Sequence, residues 1–191
     1  MLGDKTMDTK DELVSLLEIA EINFLMSLKE LKPELVNRKA VENINTISWI
    51  VGHCVLNFDR FLSIYTNKQL LTQEESEFYG LIKDPVKDCS VPFVRLIDYH
   101  LELTNKLFKI FEKLDVKEFD EIPHEQAKGK LADIMKSVSL HVMGHTGQIV
   151  LIRKLLANPF WSFIQGVEKE NRKELRKTWI TWWEQNKVLY Q

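Results

Sequence analysis

Two histidines four residues apart, His141 and His145, lie in the run Ser137 to Arg153, whose other residues read as a buried helix. On a helix, positions i and i+4 share one face and sit about 6 Å apart along the axis. Two imidazoles so placed can ligate one metal ion. A third histidine, His53, lies in an apolar segment far upstream, with Trp49 one turn before it and Asn57 one turn after. If the two helices meet, three imidazoles surround one point and leave a fourth position open. That is the pattern of catalytic rather than structural zinc sites. A lone histidine on an apolar face is ordinarily a core residue, but one metal accounts for all three rings, each otherwise costly to bury. A divalent transition metal is expected, zinc, nickel or iron foremost, with copper also suited to imidazole.

The elements that must position these residues follow from apolar spacing. Leu13, Leu17, Ala20, Phe24, Leu28 and Leu31 form one helical stripe, opened by a Thr9-x-x-Glu12 capping box and ended near Pro33. A second helix is predicted from about Asn45 to Thr66, with Ile47, Ile50, Cys54, Phe58, Phe61 and Tyr65 inward and further apolar residues around it. Thr72-x-x-Glu75 predicts a short capped helix, and Asp84 to Ser90 a loop. A third long helix, Val91 to Leu114, turns Phe93, Ile97, His100, Leu103, Leu107 and Phe111 inward, and Asp115 to Lys128 reads as loop.

The fourth long helix, Lys130 to Ala157, stops at Asn158-Pro159, and Ile134, Val138, His141, His145, Gln148 and Ile152 are expected to line its inward face. After the aromatic stretch Phe160 to Phe163, a fifth helix is expected from Glu168 to about Val188, carrying Trp179, Trp182 and Trp183. The fold class is therefore all-α, a four-helix bundle over residues 1–157 with an added aromatic helix in 158–191. The helices bearing the three histidines are the most apolar and should face each other. Gly52, Gly144 and Gly147 stand beside the histidines inside these helices, where each costs about 1 kcal/mol relative to alanine. Close approach of the two backbones, or relief of packing against Trp49 or Phe58, would offset that cost.

Of the 191 residues 45% are hydrophobic and the net charge is −2, so one domain with a real core is expected and nothing steers the chain toward nucleic acid or an anionic membrane. No apolar run reaches the ~20 residues of a bilayer span. The first residues carry no secretory pattern, and Cys54 and Cys89 form no CxxC, so a reduced, cytoplasmic setting is expected. No nucleophile elbow, phosphate loop or dinucleotide fingerprint occurs. Glu121-x-x-His124 has di-iron spacing but contains Pro123 and has no counterpart. His100 is open to three readings: fourth ligand, pocket base or core residue. Gln148 and Asn57 can touch a metal-bound ligand or orient the imidazoles. The cluster Arg172, Lys173, Arg176 and Lys177 alternates with glutamates and is expected to be a solvated face, with the tryptophans packed on the bundle or at a dimer contact.

Trp49-x-x-Gly52-His53 followed by His141-x-x-x-His145-x-Gly147-Gln148-Ile149 resembles the DinB family of metal-binding four-helix bundles and the related thiol transferases, over roughly residues 10–157. The resemblance implies that His53, His141 and His145 carry a divalent metal; Trp49, Asn57, His100 and Gln148 are expected in the pocket or behind the ligands from their places on the same helices and on the third long helix. It also implies a homodimer. The expected activity is metal-dependent work on a small molecule: transfer of a low-molecular-weight thiol to an electrophile, or hydrolysis. The alternative is a non-catalytic, stress-related or structural metal-binding bundle.

Overall fold

The structure is a computed structural model that describes residues 9–80, 90–125, 127–159, 164 and 168–191. Among these residues the chain is all-helical. Among them are six α-helices, α1 Thr9–Leu28, α2 Ile47–Thr66, α3 Gln73–Phe78, α4 Phe93–Lys113, α5 Leu131–Leu155 and α6 Lys169–Asn186, with short 3-10 segments between α1 and α2, between α4 and α5 and after α6, and no strand occurs among the described residues. The aromatic stretch 160–163, the loop 84–89 and Cys89 lie outside the described residues.

The long helices form where the apolar period is unbroken. All six residues of the first stripe are buried, and so are all six inward residues of α4, His100 included. Thr9 is already helical, so the Thr9-x-x-Glu12 box does not cap there. The capping box at Thr72 and Glu75 is present and starts α3. At the head of α2 the Thr46 hydroxyl accepts the Trp49 N–H, and Asn67 ends the helix in the left-handed region, which asparagine tolerates. Asp59, buried in α2, accepts the backbone N–H groups of Leu70 and Leu71 and so fixes the path from α2 into α3. The stretch after α4 is not plain loop: Val116–Asp120 is a 3-10 turn with its own capping box, and it plants Phe119 in the core.

α1 packs along α5, α2 along α4 and α5, and α6 on α1. Arg153 ties two of these helices at one end. Its buried guanidinium donates to the carbonyls of Ser27 and Lys29, where α1 leaves its last acceptors unpaired. Two expectations need correction. On α5 the core face is Met135, Val142, Ile149 and Ile152, whereas Ile134, Val138, His141 and His145 are half-buried beside it and Gln148 is exposed. On α6 two of the four basic residues are not solvated: Arg172 pairs with Glu18 and Arg176 with Glu21 of α1. Lys173 and Lys177 stay exposed, and Trp179 and Trp183 are buried against the bundle, so α6 has one packed and one solvated face.

Candidate metal centre

His53 sits mid-α2, 5% exposed, while His141 and His145 project from the facing edge of α5 and remain half-buried. The packing of α2 on α5 brings the three together, and their candidate ligand atoms all lie within 4.8 Å of one another. His141 Nε2 is 3.0 Å from His53 Nε2 and 3.0 Å from His145 Nε2. Nitrogens about 2.0–2.1 Å from a tetrahedral zinc ion would stand about 3.3 Å apart, so the spacing fits a shared cation.

The protons are directed away from that point. His53 Nδ1–H donates to the backbone carbonyl of Tyr79 at 2.7 Å. A carbonyl only accepts, so Nδ1 holds the proton and Nε2 keeps its lone pair. His145 Nδ1–H donates in the same way to Gln148 Oε1 at 2.8 Å. Asn57 Nδ2, a donor only, bonds the His53 carbonyl at 2.7 Å and reaches His141 Nε2 at 3.2 Å. The Nε2 lone pairs of His53 and His145 therefore point inward, while that of His141 accepts the Asn57 N–H. Burial first, then the neighbouring His145 and His53, lowers the His141 pKa to about 4, and burial also lowers that of His145 against the opposing bond from Gln148. The His141 ring thus stays neutral, as a metal ligand must, well below neutral pH.

The end of α3 supports the centre through two successive carbonyls. Phe78 O accepts the Trp49 indole N–H at 3.2 Å, and Tyr79 O holds His53. The Trp49 ring in turn stacks on the His53 imidazole, 5.2 Å between centroids and 9° from parallel. Gly52 makes this possible. A Cβ there would lie 2.1 Å from the Tyr79 ring, so only glycine lets Tyr79 close on α2. The glycine reading thus changes: Gly52 accommodates Tyr79, and a Cβ on Gly144 or Gly147 would meet nothing within 4 Å, so neither serves the approach of α2 to α5.

Gln148 and Asn57 both hydrogen-bond the imidazole-bearing residues. His100 does not belong to this centre. It is fully buried on α4 between Phe24 and Phe58, with Nε2 3.8 Å from Glu21 Oε1 and neither ring nitrogen hydrogen-bonded. It is a core residue with no access to a substrate, so its roles as pocket base and fourth ligand fall away. Cys54 faces the core, where burial pushes its thiol pKa far up and leaves it unreactive. Glu121 is extended rather than helical, which removes the di-iron spacing. The carbonyl of Tyr79 had no signal in the sequence, because any residue supplies one; only Gly52 marked the spot.

What fold and site define together is an all-helical chain with a three-histidine cluster suited to a metal ion. No family model, no curated protein and no solved structure matches it.

Proposed function

We propose that the chain is a divalent-metal-dependent enzyme acting on a small molecule, built as a four-helix bundle of the DinB type. One observation carries the reading: three imidazole Nε2 atoms converge from two helices, and at His53 and His145 a partner holds the proton on the far side. Such a set is strained when empty of positive charge and favourable around a cation. His53, His141 and His145 would hold the metal. When bound, it supplies Lewis acidity that makes a nucleophile of water or of a thiol near neutral pH. Tyr79 O and Gln148 fix the tautomers, Trp49 keeps the His53 ring in plane, and Asn57 steadies His141. The half-buried rings of His141 and His145 leave the α5 side open for a substrate, which favours catalysis over a closed structural site. Thiol transfer to an electrophile and hydrolysis both use such a centre.

A second reading draws on the ligands coming from two helices: the metal pins α2 to α5 in a non-catalytic bundle. Metal analysis and chelation separate the two. Wild type is expected to bind about one equivalent of zinc or nickel, and His53→Ala to bind none. Equal metal in the two proteins would refute the centre. If metal removal leaves the melting temperature within a few degrees yet abolishes turnover in a thiol-transfer or hydrolysis screen, the enzyme reading stands. If the chain unfolds and every screen is blank, the pinning reading replaces it.

A homodimer is part of the proposal. Residues 137–152 of α5 carry no charge, and Leu140 and Leu151 stand exposed on either side of Gly144 and Gly147. Depletion of charge around apolar side chains is the composition of an interface core. Light scattering on Leu140→Glu tests it, with a monomer expected.

A further inference from the structure

α2 carries two charged residues, Asp59 and Arg60. Asp59 is buried and turned to the backbone of Leu70 and Leu71. Arg60 is exposed, and among the described residues its guanidinium has neither a hydrogen bond nor an ion pair. It stands seven residues after His53, with Asn57 between them. Seven residues fall about 20° short of two helical turns, so Arg60 lies on the line of His53, roughly 10 Å further along the axis.

Exposure rises along that line. His53 is 5% exposed, Asn57 half-buried and Arg60 exposed, so the seam between α2 and α5 opens from the centre toward Arg60. His53 meets both His145 and His141, and Asn57, one turn on, meets His141. α5 therefore runs the opposite way, and its next turns on this side bring Val138 and then Ile134. Both are apolar and half-buried. Asp133 and Lys136 of α5 pair with each other, and residues 137–152 carry no charge. Over residues 47–66 and 131–152, Arg60 is thus the one charged side chain without a partner among the described residues.

We infer that the small molecule taken by the histidine centre bears a carboxylate, which Arg60 holds while the reacting end lies at the three imidazoles and the chain between crosses Val138 and Ile134. The planar guanidinium fork matches a carboxylate with two parallel hydrogen bonds, and its charge is uncommitted. A centre that holds a cation adds positive potential at the other end of the same seam, which draws an anion in. The inference rests on the metal-dependent reading proposed above and holds for thiol transfer and hydrolysis alike. It gives Arg60 a role in choosing the substrate and none in the chemical step.

Calorimetric titration of the zinc-loaded protein with 6-mercaptohexanoate and with 6-mercaptohexan-1-ol tests it. The two probes share the thiol and the chain and differ in charge at the far end. Wild type is expected to bind the acid at least fivefold more tightly, with the preference shrinking in high salt. Arg60→Gln, at an exposed position, should bring the acid down to the level of the alcohol while leaving the alcohol's affinity and the zinc content unchanged. Equal affinity for the two probes in zinc-loaded wild type, or an undiminished preference for the acid in Arg60→Gln, would overturn the role of Arg60 and leave the metal centre standing. Absence of zinc uptake by wild type would instead overturn the metal-dependent reading, and the inference with it.

Discussion

Histidine is used in two opposite ways on the two sides of α2. Toward α5, three rings face each other at 3.0 Å contacts, with protons anchored by a carbonyl and an amide. Toward α1 and α6, His100 lies fully buried, both nitrogens bare of partners, beside the Glu21–Arg176 ion pair. His53 is buried almost as deeply as His100, and what separates these two rings is the set of partners. A ring whose outer nitrogen is held offers its inner lone pair in a fixed direction. A ring with no partner is confined to its neutral form, and burial together with the Arg176 charge takes its pKa down to about 3. Burial of a titratable group is therefore a poor sign of function in this fold, and hydrogen-bonded orientation is the better one.

The largest effect that should divide the regions comes from Glu21. Its carboxylate is fully buried and accepts both contacts of the Arg176 Nε–H, at 2.9 and 3.1 Å. Removing one partner of such a pair leaves the other charge poorly compensated, at about 3–5 kcal/mol when both are buried. Arg176 retains 18% side-chain exposure and can turn outward, so the lower end applies. Glu21→Ala is expected to lose about 3 kcal/mol in urea unfolding and to keep its metal. A loss of metal would erase the distinction between the regions.

His100→Leu should act in the other direction. Deleting a buried group that has no hydrogen bond removes a penalty of about 1–3 kcal/mol, so the variant should be more stable than wild type at neutral pH. The sign of the pH effect follows from the lowered pKa. The unfolded chain takes up a proton near pH 6.5 and the folded chain only near 3, so the stability tied to His100 is full above about 6.5 and drains away as pH falls toward about 3. Unfolding curves between those limits should be flatter for His100→Leu. An unchanged slope would mean that His100 is paired in solution.

Gln148 sharpens the comparison from the other side. It is exposed and contributes no core packing, yet it fixes the His145 tautomer. Outer partners of this kind are worth about 10–100-fold in metal affinity. Gln148→Ala is expected to lose that much affinity with little change in stability, and competition with a chromophoric chelator reads it directly.

Much of this was legible in the sequence where one face of a helix is apolar and the other polar. The stripes of α1 and α4 are buried residue for residue, because charged residues between them leave only one way to turn each helix. α5 was misjudged by about one residue along the helix. From Ser137 to Ile152 it carries no charge, so the sequence holds no opposing polar face to fix its rotation. The histidine trio was still visible, since the i, i+4 spacing survives any rotation. The Arg153 clasp and the Tyr79 carbonyl were not visible, because backbone acceptors leave no mark on composition. Nor was the inward turn of Arg172 and Arg176, whose partners Glu18 and Glu21 lie on a helix some 150 residues away.

The smallest effect concerns the glycines, and it separates what the chain needs for itself from what it keeps for something outside. Gly52 is fixed by the Tyr79 ring, so Gly52→Ala must displace that ring and with it the acceptor of His53. Gly144 meets nothing within 4 Å and is exposed, so within one chain an alanine there has room and a better helix propensity. Gly144→Ala should therefore stabilise the monomer by about 0.5–1 kcal/mol. If two copies associate along this face of α5, the added methyl lies between closely approaching backbones, and the same substitution weakens the dimer while strengthening each chain. Measuring melting temperature against protein concentration separates the two terms, because only the dimer term depends on concentration. A gain in stability that is equal at all concentrations would leave the open glycines without a role in association, and would set them apart from Gly52 as residues the described fold does not require.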